Sequence, residues 1–92
     1  MKALKLQIHG KVQGVGYRRW FEQRAIALGL KGYVKNLENG DIEAVICGVE
    51  DAVNQLLEIS MEGPLHAKVH HIECTEPSIE ASACHSFQIQ RD

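Results

Sequence analysis

The order in which the apolar residues change their spacing limits the fold of this chain more than any other feature of its sequence. Leu4, Leu6 and Ile8 alternate with Lys5, Gln7 and His9, the two-residue period of a strand with one buried face. Tyr17, Phe21, Ala25 and Leu28 then recur at three- and four-residue intervals around Glu22, Gln23 and Arg24, which predicts an amphipathic helix that stops at Gly29. Tyr33 and Val34 favour a short strand. Asn39-Gly40 predicts a type I′ hairpin turn, because both central positions of that turn need positive φ. Ile42, Ala44 and Ile46 alternate again, and Val49, Val53, Leu56 and Leu57 return to helical spacing until Glu62 to Pro64 ends it. Ala67 to Thr75 and Ser86 to Gln90 read as two further strands joined by a polar loop, with a bulge or bend expected where the alternation slips between His71 and Ile72.

This order is strand, helix, strand, strand, helix, strand, with a short extra strand at the C-terminal end. It predicts an α+β, ferredoxin-like sandwich of the split β-α-β type (βαββαβ plus the extra strand), with two helices on one face of an antiparallel sheet. At 92 residues the chain is expected to form a single domain around one core. An apolar content of 45% and a charged content of 24% are those of an ordinary globular protein. No apolar run approaches the roughly 18 residues of a membrane span. "MKALKLQIHG" alternates where a secretion signal would be continuously apolar, so a cytosolic chain is expected.

Twelve acidic and ten basic residues give a formal charge of −2, without the positive field that drives binding to a nucleic-acid backbone. Leu4 to Ile8 and Ile42 to Ile46 also lack the exposed aromatics of an RNA-stacking sheet. Cys47, Cys74 and Cys84 are odd in number and without C-x-x-C spacing, which predicts reduced thiols rather than a disulfide framework or a zinc site. His66, His70 and His71 read as surface histidines, since neighbours on a strand point to opposite faces and no fourth metal ligand is evident.

The stretch "HGKVQGVGYRRW", His9 to Trp20, sets Gly10, Gly14 and Gly16 between the first strand and the first helix. Glycine relaxes the limits on φ, so backbone N–H groups along Gly10, Lys11, Val12, Gln13, Gly14, Val15 and Gly16 can turn inward around an anion. The helix start adds free N–H groups and the positive end of its dipole. Arg18, in the first helical turn, brings a planar fork of donors to two oxygens of a phosphate-like group. A cation there costs the bare helix roughly 0.3–1 kcal/mol, a conflict that a bound anion reverses. The Walker and dinucleotide-binding patterns are both absent. Arg19, turned about 100° from Arg18, is expected to be solvated or ion-paired. His9 reads as a structural residue at a strand end, and Gln13 either as a substrate contact or as a tether of the loop. Trp20 and Phe21 cannot share a helix face, so one is core and one rim.

"GKVQGVGYR", followed after the helix by "GLKGYVKNLENGDIEAVICG", resembles the acylphosphatase family, whose pattern is a G-x-V-Q-G-V-x-[FM]-R loop and a later G-x-V-x-N strand. The resemblance continues through "EGPLHAKVHHIE" and the closing "FQIQ". It implies that the backbone from Gly10 to Tyr17, with Arg18, holds a phosphoryl group and that Asn36 orients the attacking water. It implies an acyl phosphate as substrate, inorganic phosphate as product and competing ligand, a monomer, and neither metal nor other cofactor. The chain departs from the pattern at Tyr17, where Phe or Met is usual, and a buried hydroxyl there needs a partner.

The implied chemistry is consistent with the residues. An acyl phosphate expels a carboxylate whose conjugate acid has a pKa of roughly 4–5, by comparison with side-chain acids, so no general acid is needed. The reaction needs charge stabilisation on the transferring phosphoryl group and an aligned water. Arg18 with the loop can supply the first, and the Asn36 carboxamide the second. The rival reading is a non-catalytic anion-binding or regulatory module on the same fold, which would have no use for a water-orienting amide.

Overall fold

A computed structural model of the chain describes residues 1–77 and 84–90. Its elements run β1 (Lys2–Lys11), α1 (Tyr17–Ala27), β2 (Lys31–Asn36), β3 (Ile42–Gly48), α2 (Glu50–Ser60), β4 (Lys68–Thr75) and β5 (Phe87–Gln90). The strands form one sheet in the order β4-β1-β3-β2-β5. Because β3 lies between β1 and β2, the β1-α1-β2 unit is split, as the alternation of periods predicted. The β4-β1, β1-β3 and β3-β2 pairs are antiparallel, but β5 adds to β2 in parallel. The sheet is therefore mixed, which corrects the all-antiparallel expectation. The chain leaves β4 on one edge of the sheet and starts β5 on the other, so alternation within β5 carries no signal of its direction. Most of the polar loop expected between the last two strands lies outside the described residues.

Both helices pack on one face. Leu6 and Ile8 of β1, Val34 of β2, and Ile42, Ala44 and Ile46 of β3 meet Tyr17, Phe21 and Ala25 of α1 and Val53 and Leu56 of α2 in one buried cluster. Each of those side chains removed from water contributes on the order of 1–3 kcal/mol. Phe21 lies in this core and Trp20 packs half-buried against it, the division expected for adjacent helical positions. On the other face Glu43 accepts a hydrogen bond from the Tyr33 hydroxyl (2.8 Å) and pairs with Lys5 (3.5 Å) and Lys35 (3.6 Å).

Local chemistry explains where the elements end. α1 closes with Leu30 N–H on the Ala25 carbonyl (2.9 Å) and Gly29 N–H on that of Ile26 (3.0 Å), a Schellman motif with Gly29 at φ 71°. The β2–β3 turn differs from the expected type I′. Asn39 keeps a negative φ and Gly40 alone is positive, at 94°. Gly40 N–H reaches the Leu37 carbonyl (3.2 Å), and Leu37 N–H reaches that of Asp41 (2.9 Å). This is the three-residue loop in which a type I turn is followed by a left-handed glycine. The irregularity of β4 also falls earlier than expected: the ladder steps from His9↔His71 to Gly10↔Val69, leaving His70 as the extra residue. The strands approach so closely there that a Cβ on Gly10 would sit 2.1 Å from the Lys68 carbonyl oxygen.

Burial pushes the Glu43 carboxyl up, but the Tyr33 hydroxyl and the two lysines outweigh it and hold the group below its ordinary range. A carboxylate lowered in the folded state stabilises above its unfolded pKa and loses that contribution as pH falls through the folded value. Glu43→Gln is expected to be less stable than the parent at neutral pH, with the difference shrinking as pH falls below the ordinary carboxylate range in urea titrations.

Candidate active site

The split topology brings the C-terminal ends of β1 and β2 to the same end of the sheet, with the turn from Val12 to Gly16 and the start of α1 beside them. A cleft of about 170 Å³ opens at this point. Val12, Gln13, Gly14, Gly16, Tyr17 and Arg18 line it from the loop and helix, and Asn36 from β2. Arg19 and Ile89 complete the wall. Among the described residues no acidic side chain borders it, and the first turn of α1 contains none either.

Gly14 and Gly16 have φ of 75° and 79°, which places their backbone in the left-handed region, and nothing lies within 4 Å of where a Cβ would be. At these two positions glycine is needed for conformation rather than for space. Gly16 is also the N-cap of α1, so no side chain caps the helix, whose first full hydrogen bond among the described residues is Trp20 N–H to the Gly16 carbonyl (3.1 Å). The N–H groups ahead of it are available to an anion in the cleft. Arg18 is half-buried on this wall, with no acidic partner among the described residues.

Asn36 closes the arrangement from β2. Its Oδ1 is buried and has no hydrogen-bond partner, the one such side-chain atom among the described residues. A buried acceptor left unpaired costs about 1–3 kcal/mol, so a donor brought into the cleft gains that much at this atom.

Three candidates, Gly10, Lys11 and Val15, support the cleft without bordering it. Gly10 and Lys11 belong to β1, where Gly10 meets β4 and exposed Lys11 pairs with Lys68, and neither lines the cleft. Val15 packs against the core instead, and Val12 does both, being 1% exposed. Gln13, for which substrate contact and tethering were both open, lines the cleft and also tethers the loop: its Nε2 donates to the carbonyls of Leu37 and Asp41, both at 2.8 Å. Its side chain thus ties the loop to the turn that follows Asn36.

Tyr17 is 1% exposed, and its hydroxyl donates to the Ser60 carbonyl (2.7 Å), the partner that the departure from Phe or Met requires. Burial pushes this phenol well above its ordinary range, against the smaller effect of the Ser60 bond, so it stays a donor. His9 is structural, its Nδ1 2.8 Å from Asp41 Oδ2 and its Nε2 2.9 Å from Glu73 Oε1. His66, His70 and His71 are exposed, and His71 stacks on His9 with ring centroids 5.7 Å apart.

Two lining residues were not among the candidates for the site. Arg19 borders the cleft although a rotation of about 100° separates it from Arg18. The cleft opens over the end of the helix rather than along one face, so successive residues of the first turn both reach it. Ile89 comes from β5, and no pattern within "FQIQ" places that strand beside β2.

With this geometry in view, the chain matches the acylphosphatase family model over residues 4–89. It is 51% identical over 70 residues to an acylphosphatase of Azorhizobium caulinodans, covering 76% of this chain and 75% of the relative. It is 39% identical over 90 residues to one from Methanocella arvoryzae, covering 98% and 100%. Its fold superposes on the crystal structure of acylphosphatase from Bacillus subtilis with a TM-score of 0.92 at 32% identity, covering 99% of this chain and all of that one (100%).

Tyr17→Phe removes the donor to the Ser60 carbonyl and leaves that acceptor buried, so denaturant unfolding is expected to show a loss of about 1–2 kcal/mol.

Proposed function

Because the chain belongs to the acylphosphatase family and hydrolyses acyl phosphates to a carboxylate and inorganic phosphate, we propose that Arg18 and the glycine loop hold the phosphoryl group while Asn36 orients the attacking water. The observation that carries this assignment is the buried, unpartnered Asn36 Oδ1 in a cleft walled by Arg18 and by an uncapped helix start.

In this reading the phosphoryl oxygens accept from N–H groups between Val12 and Arg18 and from the Arg18 guanidinium, while Gly10 and Lys11 carry the loop from β1. These donors are fixed before substrate arrives, so they stabilise the charge of the transferring group without reorganising. Water donates one hydrogen bond to Asn36 Oδ1 and attacks phosphorus opposite the carboxylate, which leaves as the P–O bond breaks. Asn is too weak a base to take the water proton, and an oxygen of the substrate's own phosphoryl group receives it. Asn36 therefore acts by position and Arg18 by charge. Exposed Arg19 adds a second positive charge at the rim.

The chemistry described calls for no metal or other cofactor. We take residues 1–92 as a single domain acting as a cytoplasmic monomer, without nucleic acid or membrane as partner. The formal charge of −2 supports that reading, as does the lack of any helix, among the described residues, long and apolar enough to cross a membrane.

The test compares the parent with Arg18→Ala and Asn36→Ala on benzoyl phosphate, with thermal shift in inorganic phosphate as the binding assay. Both variants are expected to lose at least about 10²-fold in kcat. Phosphate is expected to protect Asn36→Ala as it does the parent, and to protect Arg18→Ala little. Parent-like kcat in Asn36→Ala would overturn the water-positioning role.

A further inference from the structure

Asp41 lies in the β2–β3 turn, outside the cleft, and is 9% exposed. One oxygen of its carboxylate, Oδ2, accepts from Gln7 Nε2 (2.9 Å) and Asn39 Nδ2 (3.1 Å) and contacts His9 Nδ1 (2.8 Å). Its own N–H donates to Asn39 Oδ1 (3.0 Å). The side chain thus pins the turn to β1 at two residues, and His9 extends the connection to Glu73 on β4.

The backbone of this residue points the other way. The Asp41 carbonyl accepts from Gln13 Nε2 (2.8 Å) and from Leu37 N–H (2.9 Å), and Leu37 directly follows Asn36. One residue therefore fixes both halves of the cleft: the glycine loop through Gln13, and the Asn36 end of β2 through the turn. Gln7, His9, Asn39 and Gln13 approach it from three separate segments, and a carboxylate at 9% exposure with this many donors is costly to disconnect.

We propose that Asp41 is a positioning residue for acyl phosphate hydrolysis, acting through Gln13 to set the distance between the bound phosphoryl group and the water on Asn36. The proposal rests on the roles given above to the glycine loop and Asn36. Phosphate affinity depends on the loop and Arg18 alone, whereas kcat depends on how that anion is placed against the water. Loss of Asp41 separates the two quantities.

Asp41→Ala is expected to lower kcat on benzoyl phosphate by about tenfold, since misplacement of reacting groups by a fraction of an ångström has effects of this order, while the inhibition constant of inorganic phosphate changes by less than about twofold. Asp41→Asn keeps an acceptor for Gln7 and Asn39 and is expected to recover most of kcat. Gln13→Ala tests the same connection from the loop side and is expected to show the same division. Leu56→Ala, a core variant, serves as the control for lowered stability and is expected to keep its kcat at temperatures where it is folded. The proposal is overturned if Asp41→Ala keeps parent kcat, if its phosphate affinity falls in step with kcat, or if Leu56→Ala loses as much kcat at equal loss of Tm. Arg18→Ala measured alongside separates the two claims. Activity retained there refutes the site assignment itself, whereas an inactive Arg18→Ala beside a fully active Asp41→Ala refutes only the positioning role.

Discussion

The insertion of β3 between β1 and β2 is the constraint on which the site depends. Two strands that would otherwise pair are held two ladder spacings apart, about 10 Å, with their C-terminal ends on the same side. The first end turns into the glycine loop and the second ends in Asn36. A gap of that size admits a phosphoryl group and a water, and the walls on either side are rigid because β1 and β2 are each paired on both edges. Gln13 spans the gap from the loop to the turn after Asn36 and closes the frame.

The two helices of the chain differ at their first turns, in the direction the proposed anion site requires. α2 carries Glu50 and Asp51 in its first turn, which complements the positive end of its dipole. α1 has no acid there, a glycine for N-cap and two arginines instead, an arrangement that weakens an isolated helix start. The difference lies in what each helix faces. Tyr17, Phe21 and Ala25 anchor α1 in the core, and in the proposed reading the anion supplied by substrate takes the place of the missing cap.

Much of this was legible in the residues. The change of period from Leu4–Ile8 to Tyr17–Leu28 and back outlines the split β-α-β unit, because core burial dictates the spacing of apolar residues in both strand and helix. The turn itself was legible because glycines between a strand and a helix mark positions of positive φ, as Gly14 and Gly16 have. What could not be read depended on contacts distant in sequence. The parallel pairing of β5 with β2, and with it the place of Ile89, follows from a crossing between sheet edges rather than from "FQIQ". No sequence signal marks Asp41, since Gln7, His9 and Gln13 reach it only once β1 and β3 pair. The bulge at His70 is set by the close approach of Gly10 to Lys68 and not by the slip in alternation at His71. Asn39-Gly40 formed a type I turn plus left-handed glycine because a loop of three residues needs only one positive φ.

The central claim is that one anion is held between the glycine loop, Arg18 and Asn36. The most direct measurement is a titration of the isotopically labelled protein with inorganic phosphate, followed by nuclear magnetic resonance of backbone and side-chain N–H groups. The account predicts saturable, concerted shifts of the amides from Gln13 to Arg18, of the Arg18 guanidinium and of the Asn36 side-chain amide, with one dissociation constant for all of them. Shifts confined to the exposed end of β1 and β4, around Lys11 and Lys68, or a saturating response that leaves Asn36 unmoved, would contradict it.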